Sequence, residues 1–416
     1  MKRKLALVFS TVLAAGAAHA ESLYYVGSEA QTSVPLKWIV GMDLSYDDNV
    51  TPGAVGANGQ SLDGESSGGL SPYVGLSVIN MTPQTTWDVY ARLGCIYYFD
   101  KPTALGSDDF YGQCRGGANL THRFNDRLRL SSRNFLAYEL EPDYSQGFAT
   151  SRQMGEYLYW QTDNALGYRW NERIASYTGF SLTGLDYTDT DSSDRLTLTL
   201  YNQMRYQLNP ERTVLTFDYR YGQTNSGGLA SDFTDQYILL GVEQRFSPNT
   251  IMIARAGVQL HDADAGGNSN SPYAEVTVQS QINEQFGVKA FARYGMEVYD
   301  TVQGYNKAAY DFDQRKVLRI GLSSDYKLSP MFTISGGVDY INAVNDDGRL
   351  VSQTLGVPQT ADGLSQDLIN LYVGLSAKLK ENLYTTLSYN YTDSTSDFAT
   401  EDYNRNRVSV GLRYEF

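Results

Sequence analysis

The chain has 416 residues, a formal charge of -14 and a mean hydropathy of -0.38. Its 47 acidic residues against 33 basic ones disfavour nucleic acid as a partner. Only 11 Pro and no low-complexity tract leave no linker, so one large domain is expected. Tyr dominates the aromatics, 33 against 16 Phe and 4 Trp, which suits strands and the interfacial girdles of a membrane barrel.

Residues 1–20 open with Lys2, Arg3 and Lys4, continue with an apolar run from Leu5 to Ala15, and close on Ala18-His19-Ala20. That order is a secretory signal peptide, too short in its apolar part to span a bilayer as a helix. Cleavage near Glu21 leaves 30 basic against 47 acidic residues, about -17. No later stretch is apolar over about 18 residues, so helical membrane spans are not expected. Residues 21–35 read as a short periplasmic segment, and 36–416 as the folded body.

Along that body, short turns recur, each following a bulky apolar residue. They are Phe124-Asn125-Asp126, Trp170-Asn171-Glu172, Leu208-Asn209-Pro210, Phe246-Ser247-Pro248, Ile282-Asn283-Glu284, Leu328-Ser329-Pro330 and Leu379-Lys380-Glu381. A less regular example precedes them at Asn80-Met81-Thr82-Pro83. Asn, Ser and Pro serve such turns through local hydrogen bonds and a fixed φ. Two alternating runs separated by a longer polar loop lie between successive turns. Short turns at one end and long loops at the other are the asymmetry of a bacterial barrel.

The runs number about 18, with 16 as the alternative, because the first two (near Leu36 to Tyr46 and Leu70 to Ile79) are weakly patterned. Outward faces read as Leu196, Leu198, Leu200 and Met204, then Ile238, Leu240, Val242 and Phe246, then Met252, Ala254, Val258 and Leu260. Further along come Leu318, Ile320, Leu322 and Tyr326, then Ile369, Leu371, Val373, Leu375 and Leu379. Eight short turns and nine loops put both termini on one side. The longest loops are Asp48 to Gly68 and Val344 to Gly363, rich in Gly, Ser and Asp.

The last nine residues, Val408 to Phe416, are apolar at every second position: Val408, Val410, Leu412, Tyr414 and Phe416 share one face. Ending on a strand with a terminal Phe resembles the closing strand of Gram-negative outer-membrane β-barrels. The whole mature chain is similar to the β-barrel porin families, through its pattern and its ending. The resemblance implies an all-β transmembrane antiparallel barrel, outer-membrane lipid and lipopolysaccharide around it, and barrel-assembly machinery that recognises Tyr414 and Phe416. A homotrimer is common among such porins; no apolar loop in this chain marks one.

Given a barrel, the opposing faces line a wet lumen. The expected pore-lining residues are Arg92, Arg133, Arg169, Arg205, Arg220, Arg255, Arg293, Arg319 and Arg407, with Glu243 and Glu275. Arg115, Arg129, Arg245, Arg413, Asp325, Asp339 and Gln279 share that parity. Eighteen strands about 4.8 Å apart and tilted about 40° enclose a backbone diameter of roughly 35 Å, too wide for side chains to fill. Residues 21–35 are too few for a separate plug domain. Passive diffusion of small hydrophilic solutes follows as the leading function. A loop-gated barrel for surface attachment or polysaccharide export is the alternative.

Other constellations point elsewhere and are weaker. Cys95 and Cys114, the only cysteines, sit on the same outward parity of adjacent strands and are expected opposite each other, as a disulfide. His122 lies beside a short turn. His261 with Asp262 and Asp264 has the residue types of a small metal or acid–base cluster, but a solvated loop start explains them better. Asp186, Asp189, Asp191 and Asp194 offer oxygen ligands without the Gly and Glu of an EF-hand loop. Neither catalysis, metal nor cofactor is expected.

Overall fold

The computed structural model describes residues 33–416 outside 53–63, 102–107, 141–155, 189–193, 210–211, 228–229, 265–266, 298–301, 307, 352–356 and 399–400. Residues 1–20 and most of 21–35 therefore lie outside the described residues, as do Asp189 and Asp191. Strands β1 to β7 are Val34–Asp47, Ser67–Met81, Thr85–Tyr98, Phe110–Arg123, Leu128–Glu139, Tyr157–Arg169 and Ile174–Tyr187. Strands β8 to β13 are Arg195–Asn209, Thr213–Ser226, Phe233–Ser247, Thr250–Ala263, Asn268–Gln281 and Phe286–Met296. The remainder are β14 (Val302–Tyr305), β15 (Ala308–Lys327), β16 (Phe332–Leu350), β17 (Thr360–Ala361), β18 (Leu364–Lys380), β19 (Leu383–Ser396) and β20 (Tyr403–Glu415).

Eighteen of these are full staves, and each pairs antiparallel with the next. The two short ribbons β14 and β17 lie against the ends of β15 and β16. β20 pairs with β1 from Ile39↔Glu415 to Asp47↔Arg407, so the sheet closes on itself and has no free edge. An antiparallel ring must have an even number of staves, and eighteen satisfies it. The first stave begins at Val34, two residues before the expected start.

Local chemistry makes the short turns. Asn125 Oδ1 accepts from the backbone N–H of Arg127 and Leu128, both at 2.9 Å. Asn171 repeats this with Arg173 and Ile174 at 2.9 Å, and Asn283 with Gln285 and Phe286 at 2.8 Å. Ser329 Oγ accepts from Met331 and Phe332 at 3.2 Å. Such side-chain bonds replace backbone pairing where the chain reverses. The Val344 to Gly363 stretch departs from its expected form as a loop. β16 continues to Leu350, and Val344 pairs with both Lys316 and Ser365.

Alternation puts an apolar belt outside. Leu240 is 69% exposed, and Leu93, Phe110, Phe246 and Phe416 are exposed by more than half. An exposed apolar belt on a closed barrel belongs in hydrocarbon, where every backbone group must be paired. The chain is an outer-membrane type of β-barrel.

Inside, the tyrosines do something the girdle reading did not foresee. Tyr73 faces Gly41, Tyr90 faces Gly117, Tyr177 faces Gly167 and Tyr372 faces Gly337, each pair directly opposite across neighbouring staves. In every case a Cβ on the glycine would run into the ring. The rings lie flat on the wall where the glycines leave room, so large residues occupy little of the lumen.

Candidate functional site: the lumenal arginine belt

One row of residues crosses seven staves on the inner face. Register pairs Arg205 (β8) with Thr216 (β9), Gly241 (β10), Arg255 (β11), Glu275 (β12), Arg293 (β13) and Arg319 (β15) in succession. Strand order and register together bring these charges into one row, although they span more than a hundred residues of sequence. Gly241 is the gap in the row. A Cβ there would sit 2.8 Å from Arg255 Cγ, so the glycine makes space for that side chain.

Carboxylates within the row and beside it hold the guanidinium groups. Arg205 Nη2 donates to Glu243 at 2.6 Å, and Arg255 Nη1 to Glu275 Oε1 at 2.6 Å. Arg220 reaches the same oxygen at 3.3 Å, and Tyr273 Oη donates to the other oxygen of Glu275 at 2.6 Å. Asp218 lies 3.5 Å from Arg255 and accepts from Gln203 at 2.5 Å. Glu297, just beyond β13, takes two bonds of 2.6 Å from Arg319 and a further one from Arg293. Charge-assisted bonds of this kind fix the side chains against the wall.

The other expected pore-lining residues also have inward parity but sit outside the row. Arg92 stacks 3.6 Å over the Tyr73 ring and donates to Asp43 at 3.0 Å. Arg133 is opposite Asp163, and Arg407 is opposite Asp47 and Asn390. Arg169 ends β6 at the short-turn side and is exposed. Midway along β18 and β19 the inward groups are neutral: Asn370 Oδ1 accepts from Asn390 at 2.9 Å and from Thr392 at 3.0 Å, and Lys378 is the inward charge of β18 nearer the short turns. Charge therefore lines most of the wall, and this patch of β18 and β19 is a neutral interruption in it.

At the loop end, chain folds in over the mouth. Val50 packs with Ile96, Tyr98, Tyr111 and Leu140, all buried. Tyr310 and Phe312 pack with Ala361, Leu364 and Phe398. Ser231, between β9 and β10, donates to Asp311 of β15 through its N–H at 3.1 Å and its hydroxyl at 2.6 Å. Arg349 of β16 joins them, donating to Ser231 Oγ at 2.9 Å and to Asp311 at 3.4 Å. This loop crosses three intervening staves to reach its clasp.

The expected disulfide is not formed, and His261 is not at the solvated loop start expected for it. Cys95 pairs with Gly112 and Cys114 with Leu93, so the cysteines are offset by two residues, and both thiols are free. Diagonal neighbours stand about 7–8 Å apart, beyond the 3.5–4.5 Å between Cβ atoms that a disulfide needs. Likewise, a period of two splits His261 from its neighbour: His261 is buried and inward, whereas Asp262 and Asp264 are exposed.

His261 Nδ1 instead meets Asp235 at 3.0 Å, and Ser269 is its register partner on the other side. These are the residue types of an acyl-transfer triad. Its defining bond is missing, because Ser269 Oγ donates to Met296 Sδ at 3.5 Å. His122 Nδ1 is bonded to Thr85 Oγ1 at 2.8 Å, beside a short turn. Among the described residues, no group of three His, Cys, Asp or Glu has the arrangement of a metal site.

Sequence reading missed Asp218, Arg315 and Glu297. Arg315 has inward parity in β15, whose outward face was legible, and Asp218 has it in β9, for which no outward face was read. Glu297 lies past a strand end, where alternation gives no guide.

No family model and no curated protein matches the chain. Several solved structures are similar to it at low identity. The outer-membrane protein OpdK of Pseudomonas aeruginosa is 12% identical, with 92% of this chain and 99% of that one covered and a TM-score of 0.44. A BenF-like porin of Pseudomonas fluorescens Pf-5 is 10% identical, with 92% and 98% covered and a TM-score of 0.44. The siderophore receptor PirA of Pseudomonas aeruginosa is 11% identical, with 93% and 81% covered and a TM-score of 0.42.

Proposed function

We propose that this barrel is a passive channel for small hydrophilic solutes, with the arginine belt setting its charge preference. The observation that carries the reading is the row from Arg205 to Arg319 on the inner wall of an eighteen-stave barrel. Barrels of 16 to 18 strands are wide enough for an aqueous path. Around the belt, six guanidinium groups (Arg205, Arg220, Arg255, Arg293, Arg315, Arg319) meet four carboxylates (Asp218, Glu243, Glu275, Glu297). The excess favours anions, as charged rings do in pores, against the pull of acidic outer loops. Export by the residues 1–20 signal, assembly through Tyr414 and Phe416, contact with lipopolysaccharide, and a homotrimer belong to the same reading.

Single-channel recording of the refolded mature protein across a salt gradient tests it. Steady ohmic steps are expected, with the reversal potential on the anion side. Replacing Arg205, Arg255 and Arg293 together by Ala shifts that potential toward cations. A folded but silent barrel would end the simple channel reading.

The infolded mouth favours a second reading, a barrel for surface attachment or polymer export that opens only when its loops move. It requires silence from the isolated protein and glycan or partner binding that is lost on trimming Asp48 to Gly68.

A further inference from the structure

Three arginines converge on one carboxylate in the belt. Glu297 receives Arg319 through two bonds of 2.6 Å, Arg293 through a short bond, and Arg315 Nη1 at 3.7 Å from its Oε2. Three positive charges thus surround one negative charge. The group is almost fully buried on three sides: Arg315, Arg319 and Glu297 side chains are 1%, 4% and 7% exposed. Arg293, at 36%, is the arm that reaches the lumen. The geometry also leaves a donor over. Arg315 Nη1 is buried, 3.7 Å from Glu297, and donates to no acceptor among the described residues, so it is a donor that a water or an entering anion can take up.

We infer that Glu297 is a resident counter-ion in a three-arginine oxyanion seat, and that a small oxyanion such as a carboxylate or phosphate exchanges with it during passage. This rests on the channel reading and adds the residue that sets its selectivity. The seat matches the chemistry of such anions, since guanidinium groups offer paired donors in a planar fork. An entering oxyanion first meets Arg293, takes its donors from Glu297, and is drawn toward Arg315. With Glu297 in place the seat is one-third neutralised, so anions are held weakly enough to leave. Conduction needs that balance.

Two measurements test the inference on the refolded mature barrel, with phosphate as the probe. The first is the phosphate concentration that halves chloride current in wild type and in Glu297→Gln. Charge-assisted bonds suggest that the variant is blocked at about ten-fold lower phosphate, with its reversal potential displaced further toward anions. Equal block and equal potential in two conducting proteins would overturn the inference.

The second is calorimetric titration of phosphate into the detergent-solubilised barrel, which needs no conductance. If wild type is silent in bilayers, the channel reading fails. Tighter phosphate binding by Glu297→Gln would then still support the seat, and unchanged binding would refute it. Should Glu297→Gln not fold, Arg293→Gln carries the test. Weakened block and binding are expected, and unchanged values overturn the proposal.

Discussion

Arg405 and Asp47 clamp the last stave to the first. Arg405 Nε donates to the two carboxylate oxygens of Asp47 at 3.1 and 2.9 Å, and its Nη2 donates to Oδ2 as well, with both side chains 5% exposed. The seam of a barrel is the one place where pairing joins chain ends hundreds of residues apart, so its closure entropy is the largest in the fold.

Removing one partner of a buried ion pair leaves the other charge uncompensated and costs about 3–5 kcal/mol. Asp47→Ala should therefore lower the midpoint of urea unfolding, followed by tryptophan fluorescence or by heat-modified gel mobility. Asp47→Ala with Arg405→Leu should recover most of the loss, because no orphaned charge remains. A double variant as unstable as the single one would show that the ion pair does not fasten the seam.

The glycine–tyrosine pairs make a second prediction. Tyr73 lies over Gly41, where a Cβ would meet the ring. Gly41→Ala must push that ring into the lumen and away from Arg92, which now stacks on it. Overpacking of this kind costs about 1–3 kcal/mol. Tyr73→Ala in the same chain should remove the penalty, and a double-mutant cycle reads the coupling directly. Additive effects would mean that the glycine is tolerant and the pairing incidental.

Much of the fold could be read from sequence because a period of two is local. Leu196, Leu198 and Leu200 announce an outward face, and Asn125, Asn171 and Asn283 announce their turns through bonds to residues two and three ahead. Register is not local. Whether Arg205, Arg255 and Arg293 share a row depends on how far each stave slides past its neighbour, and no single strand records that. The same limit explains Cys95 and Cys114: parity was legible, but the two-residue offset was not. Glu297 and Ser231 lie beyond strand ends, where only the folded barrel shows what they reach.

Register also makes the third prediction. Cys95 faces Gly112 rather than Cys114, so mild oxidation of the folded wild-type barrel should leave two free thiols, counted by mass after alkylation in denaturant. Moving the second cysteine by two residues, with Gly112→Cys and Cys114→Ser, places it opposite Cys95. That variant should cross-link under copper–phenanthroline and run faster without reductant. A cross-link in wild type and none in the moved variant would require β3 and β4 to be shifted by two residues.

The clasp at the mouth gives the fourth. Asp311 is 2% exposed and accepts from Ser231 and from Arg349, so one carboxylate ties the β9–β10 loop to β15 and β16. Asp311→Ala removes the acceptor of both partners, a loss of about 1–3 kcal/mol per orphaned group, large enough to free the loop locally without unfolding eighteen paired staves. In planar bilayers the variant should show larger or less interrupted current steps than wild type. Asp311→Asn keeps an acceptor for the Ser231 hydroxyl but loses the charge facing Arg349, and should fall between the two. If all three proteins conduct alike, the loop lies beside the solute path and the constriction is elsewhere along the wall.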